Sequence, residues 1–170
     1  ALALSRNGDH AEAVERAERL YRYDAESVLY TAAFAEVLIE AGRLERAKAV
    51  LNRSLAYYPD SYPLAMLLAR TLIDEERFGE ANAIYKQLSK QRPHDTLIWF
   101  QLAETSGLAG NVTEVHLARA EYFYLNGASH RAIQHLEYAK NLVAGGNRQL
   151  HAKLTQRIQD LRTEIRSSQG

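Results

Sequence analysis

Cysteine is absent from this 170-residue chain, which excludes a disulfide framework and thiol chemistry and leaves the redox compartment undecided. With only three prolines and nine glycines, long stretches run free of helix breakers. No apolar stretch approaches the roughly 18 residues of a membrane span, and nothing at the start reads as a signal peptide. Net charge is missing too: 21 Lys+Arg balance 21 Asp+Glu, which argues against a general attraction to nucleic acid. The balance hides an asymmetry, because residues 1–110 hold 13 basic against 16 acidic residues, and residues 111–170 hold 8 against 5. What remains is 46% apolar and 25% charged, a folded, helix-favouring composition able to bury a sizeable core.

Catalytic patterns are missing as well. A zinc protease needs two histidines at i and i+4 on one helical face with a glutamate base between them. The six histidines, His10, His94, His116, His130, His135 and His151, include no such pair. His130 and His135 lie five apart, so on one helix they point about 140° from each other, and a metal held by both would need a second helix. The glycine spacings of a P-loop or a serine-hydrolase elbow are absent. Asp74-Glu75-Glu76 reads as a solvated turn at a helix end.

A repeat is the chief positive signal. Gly8 and Gly42 lie 34 residues apart, Gly110 lies 68 further on, and Glu76 occupies the slot between. Five residues after each comes Ala13, Ala47, Ala81 and Val115, and Pro59 and Pro93 keep the same interval of 34. Glycine lets the chain turn between antiparallel helices, alanine lets them approach closely, and proline closes one unit before the next begins. At the C-terminal end the beat halves: Gly127 follows Gly110 by only 17 residues. One helix, 112–126, must then end one unit and begin the next, with Ala132 as the following close-packing alanine.

These positions resemble the tetratricopeptide repeat (TPR) family. Trp99, Leu102 and Ala103 stand on its W-x-x-L-G positions, with alanine for glycine; Thr31, Phe34 and Ala35, then Ala65, Leu68 and Ala69, hold the same slots less faithfully. The resemblance implies an all-α solenoid of antiparallel helix pairs over 1–143. Its units are a partial repeat 1–27, repeats 28–61, 62–95 and 96–126, and an overlapping unit 112–143. Because Ala1 enters seven residues into a unit, the chain is expected to be a piece of a larger protein. Apolar spacing predicts helices near 2–7, 9–22, 26–41, 44–57, 62–75, 78–91, 95–109, 112–126 and 129–143. After Gly145-Gly146-Asn147 a last helix, 148–166, carries one stripe of Leu150, Leu154, Ile158, Leu161 and Ile165 and is expected to cap the solenoid.

The segment Ala118-Arg119-Ala120-Glu121-Tyr122, followed by Gly127, Ala132-Ile133, His135-Leu136 and Ala139, is similar to the C-terminal TPR region of BepA-type periplasmic metalloproteases. Ala128 stands where that family has Asp, and His135 where it has Gln. The resemblance covers about residues 1–140. It implies a periplasmic location, an N-terminal HExxH zinc protease domain in the same chain, and no cofactor in this fragment itself. Its implied partners are protein clients or peptides, among them β-barrel outer-membrane proteins and the barrel-assembly machinery, in outer-membrane protein quality control.

In TPR folds the first helix of each unit lines a groove. The corresponding candidate partner-binding residues are Leu29, Glu36 and Ile39; Met66, Arg70 and Ile73; and Leu97, Phe100 and Glu104. Apolar side chains there, with charges interspersed, suit a client segment. The basic clamp by which some TPR domains hold chaperone carboxylates has no counterpart, since Ala32, Ala33, Glu36, Leu67, Leu97 and Gln101 occupy its places. A general TPR scaffold in secretion or pilus assembly and a self-association module, the latter kept open by ten tyrosines, remain as alternatives.

Overall fold

The computed structural model describes residues 10–168, which form helices joined by short turns. In chain order these are α1 (His10–Tyr23), α2 (Val28–Glu40), α3 (Leu44–Tyr57), α4 (Tyr62–Asp74), α5 (Phe78–Gln91), α6 (Thr96–Leu108), α7 (Val112–Leu125), α8 (Ser129–Val143) and α9 (Arg148–Ser168). There is no strand among the described residues, and the architecture is all-α. Gly8 and the expected helix 2–7 lie outside the described residues. Elsewhere the helices occur where the apolar spacing places them, with ends shifted by up to two residues. The shift at α2 has a cause: the Ser27 side chain caps the helix by accepting from the Tyr30 amide, so helix starts at Val28.

Four of the turns are built alike. Gly42, Gly110 and Gly127 have φ of 70°, 76° and 74°. At each, the next residue's amide bonds back to a carbonyl near the end of the preceding helix: Arg43 to Leu38, Asn111 to Ser106 and Ala128 to Phe123, each 2.8 Å. This is the Schellman closure, which satisfies the last carbonyls of a helix. Glu76 adopts it without being glycine, at φ 59°, with Arg77 bonded to the Leu72 carbonyl at 2.8 Å. A side chain in that left-handed region costs about 1–2 kcal/mol.

The chain divides into two compact units, residues 1–84 and 85–170, with the division inside α5. In the first, α2 packs against α1, α3 and α4. Ala13, Ala17 and Ala47 let the helices close around Phe34, Val37 and Leu38, and the Tyr21 ring stacks on Phe34 at 5.2 Å. A second cluster joins Ala35, Leu51, Leu64, Leu68, Leu72 and Ala81. Burying each of the larger side chains contributes about 1.5–3 kcal/mol. Pro59 and Pro93 are exposed in the turns that precede α4 and α6.

In the second unit α7 packs against both α6 and α8, and α8 against α9. Ala132, Ile133, Leu136 and Ala139 of α8 meet Leu154, Ile158 and Leu161 of α9, with Leu150 and Ile165 alongside, so the apolar stripe of the last helix is covered. The helix α7 starts after one Schellman turn, as α3 and α5 do, and ends in another, as α2, α4 and α6 do. Ala13, Ala47, Ala81 and Ala132 are all fully buried, whereas Val115 is half-buried. Across the turn from it stands Gly107, where a Cβ would lie 3.7 Å from a Val115 methyl. The corresponding pairs in the first unit are Ile39 with Ala47 and Ile73 with Ala81, large then small, and here the order of sizes is exchanged.

Candidate functional site

In the second unit, residues spaced three and four apart on α6 and α7 point into a shared recess of about 180 Å³. Phe100, Ala103 and Glu104 come from α6, Arg119, Tyr122 and Phe123 from α7, and His135 from α8. Local chemistry fixes α6. Asp95 accepts from the Leu97 amide at 3.0 Å, and Trp99 Nε1 donates to the Pro93 carbonyl at 2.8 Å, tying the repeat's aromatic to its proline turn. At the start of α7, Asn111 accepts from the Glu114 amide at 3.2 Å.

The walls are aromatic. Phe100 lies 5.9 Å from the Tyr122 ring, Tyr122 meets Phe123 edge-on at 5.4 Å, and Phe123 stacks on the His135 imidazole at 5.3 Å. Such pairs add to burial and hold the rings in place. Arg131 sits 5.4 Å above Phe123. At the rim Arg119 and Glu104 pair at 3.5 Å, both about half exposed, a contact that orients more than it stabilises. Phe100 stays 44% exposed, so the recess presents an aromatic face to solvent.

Behind that wall, His116 of α7 and His135 of α8 approach with 2.9 Å between their Nδ1 atoms. One ring donates its Nδ1–H and the other accepts, so the contact requires at least one neutral imidazole. Burial holds both pKa values below the ordinary histidine value, His116 with a further push from Arg119, and His135 from His116 and Arg119. Among the described residues, no group of three or more His, Cys, Asp or Glu is placed to hold a metal ion.

Of the residues expected to line a groove, Phe100 and Glu104 meet in this recess, with Leu97 half-exposed one turn earlier on α6. In the first unit Leu29 and Arg70 are exposed, and Glu36 and Met66 are half-buried. Ile39 belongs to the first core cluster and Ile73 packs against the second, because neighbouring helices cover those positions. Arg119, Tyr122, Phe123 and His135 were not among the candidates. Their signal was the aromatic run of a helix with neighbours on both sides.

Residues 4–71 match the model of the tetratricopeptide repeat family. Solved structures share the fold nearly end to end. MamA from Desulfovibrio magneticus RS-1 is similar at a TM-score of 0.64 and 14% identity, over 99% of this chain and 93% of that one. MamA of MSR-1 gives 0.60 and 18%, over 96% and 92%. A thermophilic TPR protein of Thermus thermophilus gives 0.55 and 15%, over 95% of each chain. No curated protein matches the chain in sequence. The chain thus carries a tetratricopeptide repeat segment and has the all-α TPR solenoid fold.

Proposed function

We propose that this is a non-catalytic protein-interaction domain that seats an apolar or aromatic side chain of a client in the recess between Phe100, Tyr122 and His135. The supporting observation is a pre-formed aromatic pocket of about 180 Å³, the volume of one large side chain, rimmed by a charge pair. A TPR fold is a scaffold for binding protein partners.

The finer reading follows the resemblance in 118–139. The domain is the client-binding TPR part of a BepA-like periplasmic zinc metalloprotease, its clients unfolded β-barrel outer-membrane proteins and its neighbours the barrel-assembly machinery. The zinc belongs to an attached protease domain. Phe100→Ala is expected to weaken capture of an unfolded β-barrel segment by about tenfold, the scale for a central aromatic anchor, with the fold intact. Capture unchanged by Phe100→Ala and by Arg70→Glu places the binding elsewhere and overturns the reading. The protease assignment has a separate test: the native gene must encode an HExxH helix upstream of Ala1, behind an export signal.

Self-association is a second reading. It is favoured by Tyr23, Leu29 and Tyr57 in the first unit, which are 85%, 73% and 73% exposed. Light scattering that finds a monomer at high concentration removes it.

A further inference from the structure

At the open end of the α8–α9 hairpin, opposite the 144–147 turn, the two helices line an open cleft of about 1040 Å³. Its floor is apolar, with Ile133 at 9% exposure and Ile165 half-buried. Its walls are basic: Arg131 from α8, Arg162 and Arg166 from α9, and His130 at the entrance, against one carboxylate, Glu137. Glu137 accepts from Arg162 at 2.6 Å, which accounts for one of the three guanidiniums. Arg131 rests on the Phe123 ring, and Arg166 bonds within its own helix, to the Arg162 carbonyl at 3.3 Å and to Thr163 Oγ1. Among the described residues neither pairs with a carboxylate. The first turn of α8 adds no acid, and its N-cap Ala128 offers no side-chain acceptor, so the positive end of that helix is not neutralised locally.

We infer that this cleft is a docking site for an acidic peptide segment, whose carboxylates pair with Arg131 and Arg166 while an aliphatic residue between them rests on Ile133 and Ile165. Guanidinium forks recognise carboxylates in pairs. Arg131 and Arg166, on the two helices that line the cleft, can each grip one acid of a single segment. The occupant is a peptide because the open cleft sets basic side chains beside an apolar floor. This surface is distinct from the aromatic recess, so the inference survives failure of the client-binding reading.

The test uses the full chain and a fluorescent peptide of about twelve residues, alternating Glu and Leu, read by anisotropy, with a Gln-for-Glu peptide as control. Binding is expected for the Glu peptide alone and should weaken as salt rises. Arg131→Glu with Arg166→Glu, both exposed and so compatible with folding, should weaken it by about tenfold or more. Glu137→Gln should tighten it by releasing Arg162, whereas Glu40→Gln in the first unit and the recess variant Phe100→Ala should leave it unchanged. Equal binding of the Gln peptide, or indifference to the double reversal, overturns the inference. Capture by anionic vesicles without peptide binding overturns it in favour of a lipid surface. A fall in the mass of the free protein on charge reversal, again without peptide binding, overturns it in favour of a second copy.

Discussion

The two units pack by the same turn chemistry and differ in how many helices they set between turns. In the first, the positive-φ turns at Gly42 and Glu76 enclose a helix pair; in the second, those at Gly110 and Gly127 enclose only α7. A helix between two such turns needs neighbours along both sides, which explains why α7 lines up Leu117, Tyr122, Phe123 and Tyr124, all half-buried. The lesson is that interrupting a repeat concentrates large side chains at the interruption. The aromatic recess and the histidine contact both lie there.

Overpacking at the small-residue slots should have the largest effect. Ala81→Leu and Ala132→Leu each push a large side chain into a fully buried slot and are expected to cost about 1–3 kcal/mol in chemical denaturation. Val115→Leu, facing Gly107 instead of an isoleucine, should cost much less. Equal penalties at all three sites would refute the exchange of sizes across the turn.

Acid should then weaken the second unit selectively. His116 and His135 have folded pKa values below 6.5, so the unfolded chain binds more protons as the pH falls. The stability they contribute is complete above about pH 6.5 and is lost as the pH drops from there through their folded values. Trp99, the one tryptophan, lies in that unit and reports it by fluorescence. His135→Phe should flatten the pH dependence of the Trp99 denaturation midpoint, and an unchanged profile would dismiss the pair as its source.

Two smaller effects are expected at the turns. Glu76→Gly relieves left-handed backbone strain at the one positive-φ turn among the described residues that lacks glycine and should raise stability by about 0.5–1 kcal/mol, net of the entropy glycine costs. Gly107→Ala, whose new methyl would sit at ordinary contact distance from Val115, should add about 0.5 kcal/mol by favouring helix. Thermal melts measure both, and a loss in either case contradicts the geometry assigned to that position.

Much of the fold was legible because its punctuation is chemical. Glycine at 42, 110 and 127 marks left-handed turns that few other residues tolerate, and alanine at 47, 81 and 132 marks close approach. Glu76 was found by phase alone, since nothing in a glutamate announces positive φ. The site was less legible. Phe100 and Glu104 follow from their place on α6, but Ile39 shares that phase and is buried, because periodicity gives direction and says nothing of what lies across it. The His116–His135 contact joins residues 19 apart through the crossing of two helices, which no spacing along one helix reveals. The MamA and Thermus likenesses establish the fold at identities too low to carry a partner with it.

The equivalence of the Gly110 and Gly127 turns makes α7 a cassette. Both ends of the segment between them close with the same pair of backbone hydrogen bonds, so a splice from Gly110 directly to Ala128 would meet matching geometry. The excised chain would place Ala132 five residues after the turn, where the first unit has Ala47 and Ala81. In evolutionary terms, a helix can enter such an array by a 17-residue duplication without any new turn having to be invented, and what it brings in its side chains is then open to selection for binding.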